Sequence, residues 1–197
     1  MMSIKLGAVL LAAGRSERFG SNKLLADFDG RPMVCRALTA MKSIGAERFT
    51  AVVSSEEVAD LAKDHGFDVI FNEAPELGQA HSVVLAVRKM QDLDAMLFVA
   101  GDQPLLTGES LRLLISRFAE SGRGIACLAD ETHRGNPAVF SKAYFPELLA
   151  LSGDRGAKGI LRAHESDLLV VSCLAENELA DADTPETLSA IQAQSCK

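Results

Sequence analysis

An α/β fold with a mostly parallel central sheet is the class this sequence predicts, and two patterns carry the prediction. Short apolar runs recur along the chain, continuous rather than alternating, as strands buried on both faces would be. Between them lie stretches with apolar residues at helical spacing, and that alternation favours parallel strands joined by crossover helices. At 197 residues, 48% hydrophobic and 24% charged, the chain suits one globular domain with a sizeable core.

Taken in order, Leu6 to Leu11 reads as the first buried strand. Asp29-Gly30 signals a tight turn, and Pro32 suits the first turn of a helix whose apolar face carries Val34, Leu38 and Met41 and which Gly45 ends. Phe49 to Val53 is the second strand, Glu56 to Lys63 a short helix and Asp68 to Phe71 the third strand. A loop through Pro75 and Gly78 leads into a helix with Val83, Val84, Val87 and Met90 on its apolar side. Met96 to Ala100 is a further buried strand, ending at Gly101-Asp102-Gln103-Pro104. Thr107 is placed to cap a helix lined by Leu111, Leu114, Ile115 and Phe118. Gly124 to Leu128 is expected as a strand, and Asn136 to Phe140 as another crossing beneath the substrate site. Two short helices are expected over 142–164, broken at Ser152 to Gly156, followed by a strand at Leu168 to Val171 and a helix from Thr184 to Gln192. No repeat, low-complexity tract or interdomain linker interrupts the series, so residues 1–197 read as a single domain.

Composition excludes several classes. A net charge of −7 opposes general nucleic-acid binding, since a phosphate backbone would be repelled. The longest apolar runs fall short of the roughly 20 residues that span a bilayer, and no export signal is visible, so a cytoplasmic protein is expected. Cys35, Cys127, Cys173 and Cys196 form no C-x-x-C pair, which argues for reduced thiols and against a zinc site.

The stretch from Ala8 to Lys23 carries the strongest chemical signal. The first strand ends in Ala12-Ala13-Gly14, where small residues permit close approach of a ligand to the backbone, and then come Arg15, Arg18, Gly20 and Lys23. Such cations suit a polyphosphate. Five residues between Gly14 and Gly20 break the Walker spacing, and Ser16 breaks the G-x-G-x-x-G of a dinucleotide loop. Asp102 follows a buried strand, where a carboxylate can hold Mg²⁺ or simply close a turn before Pro104. Asp183 and Glu186 have the spacing of a capping box, with Pro185 at the first helical position, and a residue at a helix start can equally face a metal.

The run L-A-A-G-x-S-x-R-F-G-x-x-K, from Leu11 to Lys23, resembles the opening of the MobA-like nucleotidyltransferases, and Leu11-Ala12-Ala13-Gly14 resembles their molybdopterin cytidylyltransferase branch, where the guanylyltransferase branch more usually reads A-G-G. Gly101-Asp102-Gln103-Pro104 is similar to the family's metal motif and Asp181-Ala182-Asp183-Thr184-Pro185-Glu186 to its second metal-binding segment. Asn72 to Ser82 resembles the base-side loop, although Gln79, Ala80 and His81 stand where small hydroxyl residues are commoner. Arg134-Gly135-Asn136-Pro137 and Ser152-Gly153-Asp154-Arg155-Gly156-Ala157 resemble the two elements facing the second substrate.

This resemblance implies a three-layer, Rossmann-like nucleotidyltransferase fold and transfer of CMP from CTP to the phosphate of molybdopterin or its molybdenum-loaded form, with release of pyrophosphate. It implies Mg²⁺, with Mn²⁺ as a substitute, on Asp102 and Asp183, Asp181 being a supporting neighbour, while Lys23 and Arg18 neutralise the triphosphate. Leu11, Ala12, Ala13, Gly14, Arg15, Ser16, Gly20, Lys23, Asn72, Gly78 and Ser82 would bind the nucleotide, and Asn136, Pro137, Gly153, Asp154 and Gly156 the acceptor. A molybdenum hydroxylase apoenzyme is an implied partner. The same chemistry with GTP, or with a sugar or alditol phosphate, is the nearest rival. A non-catalytic cofactor carrier and a dinucleotide-dependent oxidoreductase are rivals of other classes.

Overall fold

The computed structural model describes residues 4–131, 133–153 and 156–195. Its first strand, β1 (Leu6–Ala12), is buried on both faces, as its unbroken apolar run requires. The predicted helix start at Pro32 is instead a hairpin of β2 (Asp27–Phe28) and β3 (Arg31–Pro32), turned by Asp29 at φ 55° and Gly30 at φ 81°. Helix α1 (Val34–Lys42) begins just afterwards. Then come β4 (Arg48–Val53), α2 (Glu56–Asp64), β5 (Asp68–Phe71), α3 (Gln79–Lys89) and β6 (Ala95–Ala100). Thr107 caps α4 (Gly108–Ser121) as its position suggested, its hydroxyl accepting from the Ser110 amide at 3.2 Å. The chain closes with β7 (Ile125–Ala129), β8 (Arg134–Ser141), α5 (Phe145–Leu149), α6 (Lys158–Ala163), β9 (Leu168–Ser172) and α7 (Pro185–Ser195).

Seven strands form the central sheet in the order β5-β4-β1-β6-β8-β7-β9. β8 runs antiparallel to both of its neighbours and the remaining pairs are parallel. Alternation along β1 divides the core. Leu6, Ala8, Leu10 and Ala12 face a cluster with Leu38, Val58, Leu111 and Leu188 from α1, α2, α4 and α7. Val9 faces the opposite cluster with Val83, Val87, Leu148 and Ile160 from α3, α5 and α6. The result is the Rossmann-like α/β sandwich of three layers, helix–sheet–helix. Its floor is tightly packed at Gly7, where a Cβ would lie 2.7 Å from Leu93 Cδ1. Among the described residues, no helix is long and apolar enough to cross a membrane.

The chain leaves β1 towards β4 on one side and later reaches β6 on the other. The carboxyl ends of β1 and β6 therefore flank a topological switch point, where open α/β sheets gather their ligands.

Candidate active site

Register brings the two ends together. Leu11 pairs with Ala100, and the Gly101 amide donates to the Leu11 carbonyl at 3.1 Å, so both chains leave the sheet side by side. A cleft of about 610 Å³ opens beyond them. That volume is suitable for a nucleotide-sized ligand. Leu11, Ala12, Ala13, Gly14, Arg15 and Ser16 form one wall. Gly78, Gln79 and Ser82 form part of another, and Arg18, Lys23, Asp102 and Asp183 also line the cleft.

The loop after β1 does not run straight into an α-helix. Ser16, at φ 51°, turns the chain, and its hydroxyl accepts from the Lys23 amide at 3.3 Å. The Asn22 side-chain oxygen accepts from the Leu24 amide at 3.2 Å and caps a 3₁₀ turn over Lys23–Leu25. Leu24 is buried beneath that turn. Its Cδ2 would lie only 3.2 Å from a Cβ on Gly101, which explains the absence of a side chain there. Lys23 is thus fixed at its backbone and aimed across the cleft.

Its ammonium meets two carboxylates, donating to Asp102 Oδ2 at 2.6 Å and to Asp183 Oδ1 at 2.7 Å. The Lys23 side chain is 13% exposed. Burial by itself would lower its pKa, but the Asp102 charge and the hydrogen bonds to both carboxylates outweigh that, and the net direction is upward. The hydrogen bond from Lys23 holds the Asp183 carboxyl below its ordinary range, against some desolvation, with help from the Lys23 and Arg18 charges. Arg18 stands 3.7 Å from Asp183 Oδ2 on an open surface, and Arg15 pairs instead with Glu17 at 3.1 Å. Exposed pairs of this kind are weak and free to re-form on a ligand.

The capping reading of Asp183 is replaced. Thr184 and Thr187 cap α7 reciprocally, the Thr187 amide donating to Thr184 Oγ1 at 3.2 Å and the Thr184 amide to Thr187 Oγ1 at 2.9 Å. Asp183 is released from capping and faces Lys23. Asp102, for its part, does not spend its carboxylate on a local turn. Its Oδ1 is buried without a hydrogen-bond partner. Two converging carboxylates, one with an unused oxygen, fit a hard cation such as Mg²⁺, which takes one or two carboxylates and fills its remaining positions with water and phosphate. No group of three or more His, Cys, Asp or Glu side chains gathers as a metal cage among the described residues. Desolvation, then the Asp102 and Asp183 charges, raise the neighbouring Asp181 carboxyl.

The remaining expected residues stand outside the cleft wall. Gly20, at φ 75°, turns the loop between Arg18 and Lys23. Asn72 is buried and organises the segment below the second wall: it donates to Ser82 Oγ at 3.0 Å and accepts from the Ala74 amide at 3.0 Å, while His81 Nδ1 lies 2.8 Å from its side-chain oxygen. Asn136 ties β8 to β6, its amide donating to the Phe98 carbonyl and accepting from the Ala100 amide, both at 3.1 Å, with Pro137 buried beside it. The Gly153 carbonyl accepts from the Ala80 amide at 3.3 Å, and a Cβ on Gly156 would lie 2.5 Å from Gln79 Oε1. The turn expected at the acceptor thus packs on the start of α3, next to the nucleotide-side wall. Asp154 lies outside the described residues. Two polar residues had no role in the sequence reading. Gln103, although part of the Asp102 motif, drew no role of its own; Glu178 lies in no motif at all. Both are buried, Gln103 donating to Asp181 Oδ1 at 3.1 Å and Glu178 accepting from the Thr107 and Ser110 hydroxyls at the start of α4.

Comparison with known proteins identifies the family and the fold. Residues 8–168 match the family described as the MobA-like NTP transferase domain. A protein of Pyrococcus horikoshii named "Probable molybdenum cofactor guanylyltransferase" is 30% identical over 156 residues, covering 79% of this chain and 78% of its own. The purine catabolism protein PucB of Bacillus subtilis is 32% identical over 199 residues, covering 94% and 95%. A nucleotidyl transferase from Methanothermobacter shares the fold, with a TM-score of 0.83 at 22% identity and 98% of both chains covered.

Proposed function

The chain belongs to the MobA-like NTP transferase family, and from that premise we propose that it transfers CMP from CTP to the phosphate of molybdopterin or its molybdenum-loaded form, releasing pyrophosphate. Nucleotidyl transfer is the activity of the family. The observation that carries the reading is Lys23 held between Asp102 and Asp183 on the cleft wall, facing the small-residue loop from Leu11 to Gly14.

An oxygen of the acceptor phosphate attacks the α-phosphorus of CTP, and the bond from that phosphorus to the β-bridging oxygen breaks. The acceptor is already ionised near neutral pH, so no side chain has to remove a proton. Asp102 and Asp183 are the residues that would hold Mg²⁺, which supplies charge neutralisation at phosphate oxygens when bound. Lys23, mounted on its 3₁₀ turn, exchanges a carboxylate for the triphosphate and offsets charge on the leaving pyrophosphate. Arg18, open and weakly paired, is free to do the same. Arg15 and the backbone of Leu11 to Gly14 line the base and phosphate side, where small side chains leave room for close approach. Rate enhancement on this reading is positional and electrostatic. A molybdenum hydroxylase apoenzyme is the recipient that the product implies.

Ala12-Ala13 supports cytidine over guanosine through resemblance, whereas the name of the Pyrococcus relative favours GTP. A pyrophosphate-release assay with Mg²⁺ and molybdopterin decides between them, comparing CTP, GTP, ATP and UTP. A CTP-selective signal that Asp102→Ala and Asp183→Ala abolish is expected. Turnover with GTP alone moves the reading to guanylyl transfer, and tight cofactor binding without turnover of any nucleotide replaces it with a carrier.

A further inference from the structure

Asp183 is not presented by a strand or a helix. It stands at the end of a strap, residues 173–183, that crosses from β9 to α7 without regular structure. A segment of that kind needs an anchor to hold a carboxylate within a few tenths of an ångström. Three of its residues are buried, Glu178, Leu179 and Ala182, and Glu178, 1% exposed in the middle of the strap, is the charged one.

Both Glu178 oxygens are fully engaged. Oε2 accepts from the Thr107 amide at 3.3 Å and the Thr107 hydroxyl at 3.1 Å; Oε1 accepts from the Ser110 hydroxyl at 2.9 Å and the Ala175 amide at 2.9 Å. The Leu174 amide adds a bond to Ser110 Oγ at 3.0 Å. The carboxylate therefore sits on the first turn of α4, where amides and dipole favour an anion. Thr107, the cap of that turn, lies five residues after Asp102. Downstream of Glu178 the strap returns to the Asp102 loop: Gln103 Nε2 lies 3.3 Å from the Leu179 carbonyl and 3.1 Å from Asp181 Oδ1, and the Ala182 amide donates to the Asp102 carbonyl at 2.9 Å. Asp183 follows one residue later.

We propose that Glu178 is a positioning residue that sets the spacing of Asp183 from Asp102 by pinning the strap to the start of α4. The inference rests on the metal reading of those two carboxylates and adds a residue that touches neither nucleotide nor metal. A strap loosened at Glu178 still carries Asp183 but samples a wider range of distances from Asp102, so affinity for the cation falls while the chemistry, once the cation is bound, is preserved.

The test is a titration of Mn²⁺ into the intact protein with CTP and no acceptor, followed by electron paramagnetic resonance, beside the metal dependence of turnover. In Glu178→Gln an amide NH₂ faces hydrogen-bond donors, and in Ser110→Ala one hydroxyl partner is lost. We expect the Mn²⁺ dissociation constant to rise about tenfold or more in Glu178→Gln and less in Ser110→Ala, with kcat regained at saturating metal. Thr50→Val, a buried change on β4 away from the strap, leaves the Mn²⁺ curve unmoved whatever it does to the melting temperature. Unchanged Mn²⁺ affinity in Ser110→Ala overturns the inference even where Glu178→Gln does not fold, as does an equal shift in Thr50→Val. Wild-type protein that binds no Mn²⁺ with CTP, or with GTP in its place, overturns the metal reading and this inference with it.

Discussion

Asp102 and Asp183 meet on one ammonium but are delivered by different means. Asp102 comes directly off β6, a strand buried throughout and paired on both sides, so the sheet itself fixes its backbone. Asp183 comes off an irregular strap whose position depends on a few polar contacts, Glu178 and Gln103 above all. Their side chains differ accordingly, 21% exposed for Asp102 and 48% for Asp183. A carboxylate mounted on a sheet is rigid at no added cost, whereas one mounted on a strap needs buried polar groups, each of which has to be satisfied.

Substitution of the two carboxylates is the sharpest way to break this comparison. Asp102→Asn is expected to lower kcat/KM by roughly 10³-fold and Asp183→Asn by roughly 10²-fold, measured by pyrophosphate release. Equal losses would mean that the mounting does not matter. Next in size is the sheet itself. Leu97→Ala on β6, fully buried, is expected to cost about 2–5 kcal/mol in denaturant unfolding. Its midpoint of metal activation should stay unchanged, in contrast to the strap variants.

A smaller effect separates the carboxylates electrostatically. In Lys23→Ala the hydrogen bond that holds the Asp183 carboxyl low is lost, so its titration followed by carboxyl-carbon NMR should move up towards the ordinary range. A titration that does not move would show that Arg18 alone sets it. Smallest is a control at the far end of the sheet. Tyr144 donates to Asp167 Oδ2 at 2.7 Å, and desolvation with that bond pushes its phenol up to about 12. The folded state then holds this proton more tightly than the unfolded chain, whose phenol titrates near 10. The resulting stability is complete below about pH 10 and is lost as pH rises towards 12. Tyr144→Phe should cost about 1 kcal/mol near neutral pH and flatten that alkaline limb, leaving turnover unaltered.

Local pattern and tertiary fold agree along most of the sheet. Asp68 to Phe71 is a strand with the predicted bounds, and Thr107 caps α4 as its position implied. They part where two local rules compete. Pro32 satisfies both a helix start and an edge hairpin, and the Asp29-Gly30 turn decided for the hairpin. Asp183 and Glu186 have capping spacing, but Thr184 and Thr187 one position later took the cap. Asn72, expected on the nucleotide, is buried beneath the wall and fastens Ser82 and His81. No periodicity marks such a residue, since its partners are set by packing.

The sequence by itself determined the layers, because buried strands and amphipathic helices are written in spacing that each segment carries alone. It also determined the loop chemistry from Leu11 to Lys23, whose residues are neighbours in the chain. The meeting of Lys23, Asp102 and Asp183 belongs to the tertiary structure alone. It depends on strand order, which places β6 beside β1, and on a strap held by Glu178, and both are long-range contacts that no local segment encodes.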